Sequence, residues 1–125
     1  MSQARLIIQA FLFAIGLCLS PAIVLAESVS VDEFRRDMIN VPLCGTPTTG
    51  PLSGKSVCTV HLRDGTAILA GSGFLVRGQW DIEGRQICRR GSNADDAARC
   101  IEYEKIGPQR YRNSDGVEVC IGPCS

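Results

Sequence analysis

Phe74-Leu75-Val76-Arg77-Gly78-Gln79-Trp80-Asp81-Ile82-Glu83-Gly84 is the stretch that decides the fold. Phe74, Val76, Gly78, Trp80 and Ile82 fall on one side of an extended chain, and Leu75, Arg77, Gln79 and Asp81 on the other. That period of two is the signature of a half-buried strand. Gly78 inside it marks an expected bend or bulge. Trp80 is expected in the core, against Phe74 or Val76.

The same alternation continues outward in both directions. Upstream, Gly71-Ser72-Gly73 turns the chain back to a strand over 66–70, and Asp64-Gly65 is a hairpin signal leading back to 56–62. In that last segment Cys58, Val60 and Leu62 lie on one side and Val57, Thr59 and His61 on the other, and Leu62 is read as core-facing. Downstream, Glu83-Gly84 turns into a strand over 85–90. A polar loop over 91–98 leads to a strand over 99–106, and Gly107-Pro108 and Asp115-Gly116 frame a final hairpin of 110–113 and 117–121.

No helical crossover separates these strands, so a parallel sheet is excluded. The reading is mainly β: an antiparallel meander, barrel or half-barrel of about 6–7 short strands, with one N-terminal helix and disulfide support. The helix is expected over 30–40. Ser30 and Glu33 form a Ser-x-x-Glu capping box, Val31, Phe34, Met38 and Ile39 recur at helical spacing, and Pro42 ends it. The Gly- and Pro-rich run over 42–54 reads as a long loop tied down by Cys44.

Residues 1–26 read as a secretory signal peptide: Arg5 supplies the positive start, an apolar stretch follows, and Val24-Leu25-Ala26 fits a cleavage site. Leu17 is too large for the position before a lipid-bearing cysteine, so a lipid on Cys18 is rejected. The remainder, 27–125, reads as one small disulfide-bonded β domain, periplasmic or secreted. It has no membrane association after cleavage. Of the seven cysteines in the chain, Cys18 leaves with the leader, so Cys44, Cys58, Cys88, Cys100, Cys120 and Cys124 remain. An even number in a short exported chain points to three disulfides. Cys88 and Cys100 are both out of phase with Ile87 and Ile101, so they are expected to face each other on adjacent strands. For the rest, 44–58 with 120–124 is favoured, and 44–124 with 58–120 is the alternative.

The chain has 125 residues, with 13 basic and 13 acidic side chains. This leaves no net positive charge for phosphate neutralisation, so nucleic acid is excluded as a partner. No cofactor or metal motif is present. Cys120 and Cys124 lack the two-residue spacing of redox sites, and a single close pair does not make a zinc site. His61, the only histidine, lies mid-strand with no Gly-x-Ser-x-Gly elbow in the chain, and reads as a surface or half-buried residue. Asp95-Asp96 and Asn113-Ser114-Asp115-Gly116 lack a calcium-loop pattern and read as solvated turns. Arginine is abundant, and Arg77, Arg89 and Arg90 are read as a possible binding surface on the outside of the sheet. The competing account of the arginines is pairing with Asp81, Glu83, Glu102 and Glu104.

The pattern resembles a group of small exported bacterial proteins of unknown function with a lipocalin-like β-meander. The likeness rests on the helix over 31–39, Gly54-Lys55, Asp64-Gly65-Thr66, Gly78-Gln79-Trp80-Asp81-Ile82-Glu83-Gly84, and then Cys88 and Cys100. It spans 31 to about 113, and Cys44, Cys58, Cys120 and Cys124 depart from the simpler members. It implies a fold and carries no catalytic residue. The functional expectation is a non-enzymatic binding or structural protein whose partner is a protein or an anionic envelope polymer. One alternative is an inhibitor of a hydrolase such as lysozyme. Periplasmic lysozyme inhibitors are similar in size, barrel form and disulfide use, and Ser72-Gly73 ahead of Trp80 resembles them. The other is a small envelope-acting enzyme with paired carboxylates such as Asp81 and Glu83. A carrier of a sizeable apolar ligand is not expected, because Phe74, Trp80 and Leu62 are read as filling the interior.

Overall fold

A computed structural model describes residues 26–92 and 97–124. The expected leader falls almost wholly outside the described residues. Helix α1, Val31–Asp37, starts where the Ser30 hydroxyl accepts a hydrogen bond from the Glu33 amide at 3.1 Å. It is shorter than its apolar periodicity implies. Asn40 takes a left-handed backbone with φ of 61°, which ends the helical path. Asn40 is then pinned to the sheet: its amide donates to the His61 carbonyl and its side-chain oxygen accepts from the Arg63 amide.

Ten strands follow one another in the chain. They are β1 (Glu27–Ser28), β2 (Pro42–Gly45), β3 (Val57–His61), β4 (Thr66–Gly71) and β5 (Phe74–Glu83), then β6 (Gln86–Gly91), β7 (Arg99–Ile101), β8 (Tyr103–Gly107), β9 (Arg110–Asn113) and β10 (Glu118–Ile121). They form a single antiparallel sheet in the order β1-β8-β9-β10-β2-β3-β4-β5-β6-β7. β7 ends that order on one side, and β8, next to last on the other, follows it in the chain across Glu102 alone. The sheet is therefore curled into a half-barrel.

The count exceeds the expected 6–7 for three local reasons. Pro42–Gly45, read as loop, is a strand between β10 and β3; Pro42 is tolerated because it is the first residue of the strand. The expected strand over 99–106 is divided at Glu102, whose amide bonds the Ser114 hydroxyl rather than a strand partner. The two-residue β1 adds to the edge of β8.

Three disulfides fasten this sheet. Cys44–Cys58 and Cys88–Cys100 each join residues directly opposite on paired strands, with Cα atoms 4.0 Å apart. Cys120–Cys124 closes the C-terminal turn. They fit an oxidising environment, where such bonds persist.

The core is gathered at the helix end of the curl, where Phe34 and Met38 of α1 and the turn after it pack on Leu43, Ile87, Ile101, Tyr103, Tyr111 and Val119. Trp80 belongs to this cluster, but its ring neighbours differ from those expected. It meets Phe34 at 5.7 Å and His61 at 5.5 Å, both edge-on, while its indole N–H donates to the Leu62 carbonyl at 2.7 Å. Val76, assigned to the same buried face, is instead 51% exposed, and Leu75 is 60% exposed. The alternation of β5 is thus buried on one side only over its second half, next to α1.

Candidate functional site

On β3 the inward residues are Val57, Thr59 and His61, not the Cys58, Val60 and Leu62 side. Leu62 is only half-buried. Both sides of β3 carry apolar residues, so alternation alone did not fix which one turned inward. Running along β3, Val57 and Thr59 border a cavity, and His61 reaches the helix end. β5, two strands along, runs the same way as β3, with Val76 and Gly78 at the cavity and Trp80 at the helix. A Cβ on Gly78 would collide with the Arg90 carbonyl oxygen, so glycine is what allows β5 and β6 to approach here.

His61 is fully buried, where a surface or half-buried position was expected. Neither ring nitrogen has a hydrogen-bond partner among the described residues. Its neighbours are the edges and faces of Phe34, at 5.3 Å, and Trp80. Burial pushes its pKa down to about 3, and the positive charge of Arg89 adds to the effect. It is therefore a neutral aromatic spacer.

The three arginines read as one outer surface are separated. Arg89 and Arg90 are consecutive on β6, and consecutive strand residues face opposite ways. Arg90 lies on the outside, donating to Asp81 at 2.9 Å and Glu83 at 2.7 Å. Arg89 turns inward and is half-buried; its Nη1 donates to the Thr59 hydroxyl at 3.1 Å. Its Nε is cut off from water, and among the described residues it has no acceptor and no carboxylate forms an ion pair with the guanidinium. Burial pushes its pKa below the ordinary arginine value, with Arg99 contributing, yet arginine stays charged in proteins. A buried charged donor without a partner costs on the order of 1–3 kcal/mol or more. Arg77 is exposed at the edge of the same cavity.

The cavity has a volume of about 300 Å³. Its walls are largely apolar and include Val57, Leu69, Val76 and Val119, with Thr59, Arg89, Tyr103 and Asn113 among the polar residues that border it. Pro47 and Leu52, from the connection between β2 and β3, also border it. The interior is thus not filled by Phe74, Trp80 and Leu62: none of them lines the cavity, and Trp80 packs at the helix end instead.

The remaining candidates are accounted for locally. Arg112 joins Glu104 and Glu118 across β8, β9 and β10, and Arg99 holds Asp115. The Asn113 side chain accepts from the amides of Asp115 and Val117, which makes a turn rather than a calcium loop; Asp95 and Asp96 lie outside the described residues. Glu83, Cys88 and Cys100 place ligand-type atoms within 4.8 Å of one another, but both sulfurs are committed to a disulfide. Among the described residues, no helix is long and apolar enough to cross a membrane.

The fold and site define a small disulfide-bonded antiparallel half-barrel with an apolar mouth and an inward guanidinium. Comparison with protein-family models, curated proteins and solved structures finds no match for this chain.

Proposed function

We propose that this protein is an exported, periplasmic or secreted, non-enzymatic binding protein that receives an anionic group of its partner at the mouth of the half-barrel. The observation that carries this reading is Arg89, a guanidinium bordering a largely apolar cavity that forms no ion pair among the described residues; Asp115, whose charge reaches it, is held by Arg99. Arginine forks suit planar anions, and a charge held out of water gains most from a partner that arrives later. The enzyme alternative finds less support. Asp81 and Glu83 are exposed and joined to Arg90, so they form no cleft dyad.

The test is a titration of the oxidised protein with carboxylates, phosphate monoesters, sulfates and fragments of anionic envelope polymer, read by backbone amide shifts. At least one class should move Val57, Thr59 and Val119 and lose the effect in Arg89→Met. Shifts confined to the outer face around Arg90, or none at all, would overturn the reading.

A second reading, inhibition of a hydrolase such as lysozyme, draws on the start of β5, where Leu75 and Val76 are exposed to solvent. Exposed apolar tips of that kind suit insertion into a partner's cleft. Loss of lytic activity on adding the protein, relieved by Leu75→Asp, would establish it.

A further inference from the structure

We infer that the mouth is built for a small organic monocarboxylate of about ten heavy atoms in all, with its carboxylate on Arg89 and its apolar body against Val57, Leu69, Val76 and Val119. The inference rests on the reading above that the mouth is the ligand site, and it specifies the chemistry that fits there.

Charge selects the head group. The Arg89 side chain brings one positive charge among apolar walls, with Nη1 donating to Thr59 and Nε without an acceptor among the described residues. A monoanion neutralises it, whereas a dianion would leave an uncompensated negative charge out of water. Of the other arginines nearby, Arg90 and Arg99 are already engaged by Asp81, Glu83 and Asp115, and Arg77 is exposed at the rim, where water screens its charge. A carboxylate can take two parallel hydrogen bonds from the Nη1 and Nη2 end of a guanidinium, the end away from the sealed Nε. The Thr59 hydroxyl accepts from Arg89 and keeps its own proton, which can turn to a ligand oxygen.

The walls and the volume select the body. A sugar or polyol would place hydroxyls against Val57, Leu69, Val76 and Val119, where nothing accepts or donates. An apolar body instead removes both surfaces from water. Its size follows from the cavity: about 300 Å³, at roughly 30 Å³ per water-sized group, holds about ten such groups. An eight-carbon acid fits that space, and a long-chain lipid does not.

Octanoate is the probe, titrated calorimetrically into the oxidised full-length exported protein beside octanol, acetate, octyl phosphate and hexadecanoate. The expected result is one-to-one binding of octanoate at least about tenfold tighter than octanol or acetate, the lower range for a charge-assisted contact. Arg89→Met should lose at least about tenfold. Val76→Trp, placed at an exposed position over the cavity, should block binding while leaving the circular dichroism spectrum unchanged, which guards against a variant that merely unfolds. Octyl phosphate binding through Arg89 without octanoate binding would overturn the carboxylate inference and leave the anionic mouth standing. Octanol binding as tightly as octanoate, indifferent to Arg89→Met, would overturn both. Failure of every probe would overturn this inference, while the polymer arm of the earlier titration decides the broader reading.

Discussion

The two ends of the half-barrel each contain a buried side-chain nitrogen without a hydrogen-bond partner among the described residues, and they treat it in opposite ways. At the helix end His61 is sealed among aromatic rings and held neutral. At the mouth Arg89 remains charged beside a cavity into which a ligand could fit. A histidine can give up its charge to a dry environment, so burying it is compatible with a firm core. An arginine cannot, so an inward arginine beside open volume is a standing cost that a binding partner would relieve. The helix end is where the fold is stabilised, and the mouth is where stability is given up.

Phe34→Ala should break the helix end most severely. Phe34 is fully buried and touches His61, Trp80 and Tyr103 together, so its removal should cost about 3–5 kcal/mol, enough to unfold a marginal domain. Urea denaturation measures it. A loss below about 1 kcal/mol would mean that α1 does not close this end.

Acid should sharpen the contrast next. At neutral pH and above, His61 is uncharged in both folded and unfolded chains. Between pH 6.5 and about 3 the unfolded chain takes up a proton that the folded one refuses, so stability falls as pH is lowered and returns as it rises. The slope approaches about 1.4 kcal/mol per pH unit below the unfolded value. Carboxylates add their own losses lower in the range, so the comparison is between wild type and His61→Leu from pH 6.5 to 5. The variant should be flat there. An equal slope in both would place the effect elsewhere.

The smallest effect belongs to the outer face. Asp81→Asn or Glu83→Gln removes one arm of an exposed pair with Arg90, and neither should move the denaturation midpoint measurably. A clear shift would mean that the outer ladder, rather than the core, sets the curl of β5 on β6.

How far these features could be read from sequence depends on the kind of signal each leaves. The strand at β5, the turn at Asp64-Gly65 and the Cys88–Cys100 register are local, and each is set by residue alternation or turn chemistry. β2 left no such signal: four residues beginning with Pro42 and ending with Gly45 become a strand because β10 and β3 flank them. The inward side of β3 was equally hidden, since Val57-Thr59-His61 is the more polar of its two faces. It turns inward because Phe34 and Trp80 accommodate an imidazole and Arg89 uses the Thr59 hydroxyl. Reading Arg77, Arg89 and Arg90 as one surface overlooked that adjacent strand residues point apart. The strand period that revealed β5, applied to β6, separates Arg89 from Arg90. It does not say which of the two faces the cavity.

The stability of Arg89→Met tests the central claim most directly. If Arg89 is kept for binding at the expense of the fold, replacing it with an uncharged side chain of similar length should raise the urea midpoint of the ligand-free protein, by about 1 kcal/mol or more. If the variant is instead less stable than wild type by a similar amount, Arg89 is a structural strut on Thr59, and the mouth is not a site held at the fold's expense.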